Sequence, residues 1–125
     1  MEKKHGLVAL LLLLLLVACD PTDNYGYPSK INFGKEGGTK ICSGRLIVSS
    51  ISINDYNGNG IAELTKDEND TIITKYYWLT VKFKRLVGHE IKIIAESNKT
   101  GKKRTLYVSG SIFNDGPTIK VTQDK

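Results

Sequence analysis

Histidine, cysteine and tryptophan are scarce in this chain: two, two and one among 125 residues. His5 lies at the extreme N-terminus, so His89 stands alone in the remainder, beside Gly88 in a stretch that reads as a turn. One histidine builds neither a triad nor a multi-histidine metal site. The adjacent carboxylates Asp67 and Glu68 stand in a charged loop and read as solvated. The composition therefore points away from an enzyme, with no metal site and no cofactor expected. Also missing, beyond the first apolar run, is any sustained helical period, which sets helical bundles aside. Cys42 follows Ile41 in a strand-like run with no histidine near it in sequence, and reads as a buried structural thiol.

The one long hydrophobic run is N-terminal. Lys3 and Lys4 precede Leu7 to Val17, which is almost pure leucine and valine, and small Ala18 stands before Cys19. This is the order of a secretory signal. The run is shorter than the ~20 residues a spanning helix needs, and Asp20-Pro21 ends it. Leu16-Val17-Ala18-Cys19 resembles the lipobox of bacterial lipoproteins. That resemblance implies cleavage after residue 18 and a mature N-terminal Cys19 carrying diacylglycerol and an amide-linked acyl chain such as palmitate. Two or more chains anchor stably, whereas one binds with only about 10⁴ M⁻¹. The expected partner is thus a membrane, reached through lipid on Cys19, with the domain in the bacterial cell envelope. Asp20, directly after the cysteine, matches an inner-membrane retention signal under one sorting rule. Under the rule implied by the domain resemblance described below, Asp20 and Asp23 point instead to the outer membrane or cell surface.

Loss of residues 1–18 lowers the formal charge of +5 by a single unit, because Lys3 and Lys4 leave with Glu2. Lys82, Lys84 and Arg85 form one basic cluster, and Lys102, Lys103 and Arg104 another. Both read as solvated strand ends or turn flanks, and export makes nucleic acid an unsuitable partner. With Cys19 lipidated, Cys42 has no disulfide partner.

Residues 19–29 hold two prolines, a glycine and two aspartates, and read as a flexible tether. From residue 30 to 125 the pattern is all-β. Ile31 and Phe33 alternate around Asn32, and Gly37-Gly38 breaks the chain. Leu46 to Ile53 is β-branched, and Asn57-Gly58-Asn59-Gly60 is a strong turn signal. Ile61 to Leu64 reads as a short returning strand and Lys66 to Asp70 as a charged loop. Thr71 to Lys84 is the longest strand-rich stretch, with Tyr77, Leu79, Val81 and Phe83 on one face and Trp78, Thr80, Lys82 and Lys84 on the other. Ile91, Ile93 and Ala95 alternate next; Leu106, Val108 and Gly110 line another strand, and Ile119 and Val121 a last one. About seven or eight short strands predict a β-sandwich.

Four segments in order resemble the BACON domain (Bacteroidetes-associated carbohydrate-binding, often N-terminal). They are Ile31-Asn32-Phe33 followed by Glu36-Gly37-Gly38-Thr39; Trp78-Leu79-Thr80-Val81; Asn98, Gly101 and Arg104-Thr105; and Ile119-Lys120-Val121-Thr122-Gln123. Together they span residues 31 to 123. The resemblance implies an immunoglobulin-like sandwich and recognition of glycans or mucin. The chain departs from the family in lacking an earlier tryptophan within Leu46 to Ile53, and in a longer insertion at residues 54–75. It also stands alone rather than beside a large catalytic domain.

Sugar recognition usually needs an exposed aromatic ring and a few polar groups. Tyr76, Trp78 and Lys82, with Glu96, are the candidates if the even-numbered face is exposed; otherwise Trp78 packs in the core. Tyr25, Tyr27 and Tyr56 are further rings in the tether or a loop. Asp55, Asn57, Asn59 and Gly60 resemble the start of a calcium loop, but Lys66 occupies the twelfth position, where a bidentate carboxylate is required. A plain Asn-Gly hairpin explains the same residues. Asp70-Thr71-Ile72 resembles a short O-glycosylation site, with Thr71 as acceptor. Two functions follow: a displayed module that binds glycans or mucin, or a protein-interaction module serving as a small subunit of an outer-membrane assembly.

Overall fold

The computed structural model describes residues 24–61, 66–84, 89–111, 113 and 115–125, with residues 66–68 described by their backbone alone. The leader and Cys19 lie outside the described residues. Among those described there are ten strands, arranged in two five-stranded sheets, and no helix long and apolar enough to cross a membrane. The first sheet runs β1 (Lys30–Phe33), β10 (Thr118–Gln123), β9 (Arg104–Ser111), β3 (Ser50–Asn54) and β4 (Gly60–Ile61). The second runs β2 (Gly38–Ser43), β8 (Glu90–Ala95), β7 (Leu79–Lys84), β6 (Thr71–Tyr76) and β5 (Lys66–Glu68).

The predicted sandwich is therefore present, and its alternation explains why. Ile51 and Ile53, Leu106 and Val108, and Ile119 and Val121 point inward from one sheet. Leu79, Val81 and Phe83, Ile91, Ile93 and Ala95, with Cys42 and Ile72, meet them from the other. Each fully buried Ile, Leu or Val contributes about 1.5–3 kcal/mol relative to exposure. Gly37 and Gly101 have φ of +83° and +79°, the left-handed values their turns call for. At Gly37 a Cβ would also strike the Ala95 carbonyl across the β2–β8 pair.

Pairing is antiparallel throughout except at one place. β1 lies parallel to β10, with Lys30 opposite Lys120 and Phe33 opposite Gln123. Gln123 is fully buried, donating from Nε2 to the carbonyls of Gly34 (3.1 Å) and Glu96 (2.8 Å) and accepting from Arg104 Nε at 2.8 Å. Buried Asn98 ties the following loop to the C-terminus through Nδ2, which donates to the Lys102 and Asp124 carbonyls, while its Oδ1 accepts from Thr100.

Three expectations are corrected. The strand-rich stretch Thr71 to Lys84 is a hairpin, β6 and β7, with Tyr76 opposite Leu79. Tyr77-Trp78 is its two-residue turn, so Tyr77 does not share the buried face of Leu79, Val81 and Phe83, nor Trp78 the outer face of Lys82 and Lys84. Lys66–Glu68 is strand β5 rather than loop, because Asn69 and Asp70, at φ +52° and +66°, turn it back onto β6. The tether does not reach residue 29. Tyr27 is 4% exposed and donates its hydroxyl to the Leu46 carbonyl (2.6 Å), and Asn24 bonds both Pro28 and Thr118. An aromatic ring with a place in the core outweighs the flexible composition around it.

These contacts define two poles. Asn24 to Tyr27 sit at the end that carries Gly44, His89, Glu90 and Thr118, since Arg45 N–H donates to the Tyr25 carbonyl and Gly44 N–H to that of His89. The other end holds Phe33, Gln123, Arg104, Ala95 and the Tyr77-Trp78 turn. Six-residue strands set these poles roughly 20 Å apart.

Candidate functional site

Two-residue hairpin turns require left-handed backbone, and Asn or Gly normally supplies it. Here Tyr77 does, at φ +52°, a conformation that costs a side-chain-bearing residue roughly 1–2 kcal/mol. The result is a ring standing out at the apex, 69% exposed. Tyr76 backs it, half-buried, with ring centroids 4.3 Å apart and planes tilted by 36°.

Polar groups surround the pair. Lys75 Nζ donates to the Tyr77 carbonyl and to Glu96 Oε2, both at 2.9 Å, strapping the turn to the end of β8. The hydrogen bond and charge of Lys75 hold the Glu96 carboxyl below its usual range, helped by Arg104. The Tyr76 hydroxyl is pushed above its ordinary value, first by desolvation, then by its hydrogen bond with Tyr77 and the charges of Tyr77 and Asp55. Asp55 thus brings the β3–β4 turn to the same pole, and next to it Tyr56 is 84% exposed.

The β3–β4 turn is held by its own aspartate. Asp55 Oδ1 accepts from the backbone N–H groups of Asn57 and Asn59, each at 2.8 Å, and Oδ2 accepts from Asn59 Nδ2 at 3.3 Å. This is the Asn-Gly hairpin reading, with both carboxylate oxygens engaged by the loop. No group of three or more His, Cys, Asp or Glu side chains suited to a metal ion occurs among the described residues.

The trio Tyr76, Trp78 and Lys82 does not form one surface. Trp78 is 6% exposed, and the Arg104 guanidinium covers its ring at 4.6 Å from the centroid. The sugar-stacking role expected of Trp78 is corrected accordingly, since a ring so enclosed has no free face. Tyr76 lies opposite buried Leu79 and so points to the inner face, whereas Lys82 stands on the outer face among Ile41, Thr71, Lys84 and Lys92. The hairpin turn separates them: even-numbered positions change faces across it. Tyr27 is buried and Tyr25 packs against the core, which leaves Tyr56 exposed among the other rings considered.

Thr71 opens β6 directly after the Asn69-Asp70 turn, half-buried and opposite Lys84. Cys42 is free and buried, and burial pushes its thiol up, against the weaker opposing effect of Lys40. Sequence reading passed over Tyr77, because no Gly, Asn, Asp or Pro marks the turn. It also missed Arg104 as the cover of Trp78, because that contact joins residues far apart in the chain.

No known family profile matches the chain, and no curated protein does so either. Among solved structures it is similar to the NMR structure of a protein from Bacteroides thetaiotaomicron, at 19% identity and a TM-score of 0.56, covering 85% of this chain and 88% of that one. It also overlaps the Bacteroides ovatus GH5 xyloglucanase in complex with a XXXG heptasaccharide, at 17% identity and a TM-score of 0.44. That overlap takes in 82% of this chain but 18% of the xyloglucanase. At such identities the first likeness establishes the fold alone: the chain is an all-β sandwich.

Proposed function

We propose that this chain is a lipid-anchored envelope protein whose sandwich is a non-catalytic, BACON-like binding module for glycans or mucin. Tyr77 carries the reading: a tyrosine occupies a left-handed turn position that Gly or Asn would fill at lower cost, and its ring is open to solvent. Rigid tyrosine rings offer a large contact area with little rotamer entropy to lose, and a sugar's apolar face matches such a ring. Tyr56 is a second exposed ring at the same pole, with Lys75, Glu96 and Asp55 as polar flanks. That pole is opposite Asn24, so a chain tethered at Cys19 holds the rings away from the bilayer.

The test is binding of the mature lipoprotein in detergent to a broad glycan and mucin panel, beside a Tyr77→Ala variant with an unchanged unfolding midpoint. Saturable binding weakened tenfold or more in the variant is expected. Absence of binding to every glycan transfers the function to protein contacts, as a small subunit of an outer-membrane assembly. Pull-down from the envelope would then be the next step.

A further inference from the structure

Register places Lys92 of β8 directly opposite Lys82 of β7, both on the outer face of the second sheet. Like charges facing each other across strands oppose pairing, and among the described residues neither lysine has an ion pair. Ile41 continues the row on one side, 59% exposed, and Ile73 on the other. Ile41, Lys82 and Lys92, with Thr71, Lys84, His89 and Glu90, border a groove of about 460 Å³. Among the described residues its charge is set by three lysines against one glutamate. An anion bound between the lysines would relieve their repulsion.

The position of the groove identifies that anion. It opens towards the pole where Asn24 leaves the domain, since Glu90 pairs with Ser43 and Gly44 N–H bonds the His89 carbonyl. Four residues separate Cys19 from Asn24, and the five extended steps from one to the other reach at most about 17 Å. We propose that the groove docks on the anionic headgroups of the membrane that holds the lipid. Lys82, Lys84 and Lys92 meet lipid phosphates and Ile41 beds between headgroups, orienting the Tyr77 pole outward. This inference rests on lipidation of Cys19 and is independent of any glycan ligand. Long lysine stems suit the role, because they cover apolar surface while carrying their charge to the interface.

The test uses the native acylated protein in vesicles of phosphatidylcholine alone, or with one quarter phosphatidylglycerol. A water-soluble amine reagent is applied, and labelling is read by peptide mass. Intact mass comes first: a Cys19 without acyl chains removes the anchoring premise, and the inference with it. With the anchor present, Lys82, Lys84 and Lys92 should label several-fold less in the anionic vesicles, and high salt should restore them. Lys99 and Lys103, at the opposite pole, serve as controls and should not change. Lys82→Ala should weaken the anionic preference about fivefold, the usual contribution of one lysine at such a surface. Equal labelling of both sets in both vesicles would overturn the proposal. So would protection by a soluble sulfated polysaccharide but not by anionic lipid, which would make the groove a site for acidic glycans.

Discussion

The guanidinium of Arg104 lies 4.6 Å above the centre of the Trp78 ring, and its Nε donates to the buried Gln123 at 2.8 Å. One side chain from β9 thereby covers the sole tryptophan, on the other sheet, and satisfies a polar group in the interior. Burial lowers the Arg104 pKa, with Glu96 opposing, while its terminal nitrogen reaches the Ser97 carbonyl at 3.2 Å.

Arg104→Ala should therefore destabilise the domain by about 2–4 kcal/mol, combining a lost cation–π contact with an unpaired buried amide oxygen. Arg104→Lys should recover less than half of that, because an ammonium cannot both stack and point a fixed N–H at Gln123. Urea unfolding followed by Trp78 fluorescence measures both. Equal stability of the alanine variant and the parent would remove Arg104 from the structural account.

Tyr77→Gly should raise stability by about 0.5–1.5 kcal/mol, since glycine adopts φ +52° without the Cβ conflict, offset in part by its looser unfolded chain. The same change should abolish glycan binding. A gain in midpoint together with a loss on the panel is the expected pairing. A loss of stability would mean that the ring packs usefully on Tyr76 and is not held there for a ligand.

Lys82→Glu converts a repulsive cross-strand pair with Lys92 into an attractive one. Stability should rise by about 0.2–1 kcal/mol, while the preference for anionic vesicles falls. A drop in the unfolding midpoint at low salt would show that Lys82 and Lys92 do not oppose each other.

Thr74 is fully buried, and its Oγ1 has no hydrogen-bond partner among the described residues. Thr74→Val keeps the shape and removes the desolvated hydroxyl, so it should stabilise by about 1–2 kcal/mol. A destabilising outcome in thermal or urea unfolding would reveal a partner for that hydroxyl.

Acid should loosen the β3–β4 turn through Asp55. Its carboxyl is held below the usual range, chiefly by the Asn59 backbone N–H, with Asn57 and the Asn59 side chain adding to it and desolvation opposing. A lowered folded-state pKa gives stability that is complete above the unfolded value, about pH 4, and is lost as pH falls through the folded value. Asp55→Asn should thus be less stable than the parent at pH 7, and the gap should narrow at pH 3. A gap independent of pH would assign the difference to something other than ionisation.

Core positions were legible in the sequence wherever alternation was undisturbed: Ile91, Ile93 and Ala95, or Ile119 and Val121, are buried as their spacing predicts. The sandwich followed from those strands. Reading failed at Tyr77-Trp78, where two aromatic residues make a turn with no turn chemistry, and at Lys66–Glu68, where a charged run pairs as an edge strand. It failed again at Tyr27, whose core place depends on Leu46 and Gly44 rather than on its neighbours. Of the candidate site, Tyr56 and Tyr76 were visible as residue types. Their company was not, because Asp55, Lys75 and Glu96 converge only once the two hairpins are folded.

The parallel seam between β1 and β10 also dictates an order of events. β10 lies in the interior of its sheet, between β1 and β9, yet it is made last. Until residues 118–123 exist, Lys30–Phe33 has no neighbour in its sheet, and the pairing it awaits spans nearly the whole domain. Such distant pairings close slowly. A chain of this design cannot complete its first sheet before residues 118–123 are in place, so β1 and β9 each keep an unpaired edge until β10 enters between them.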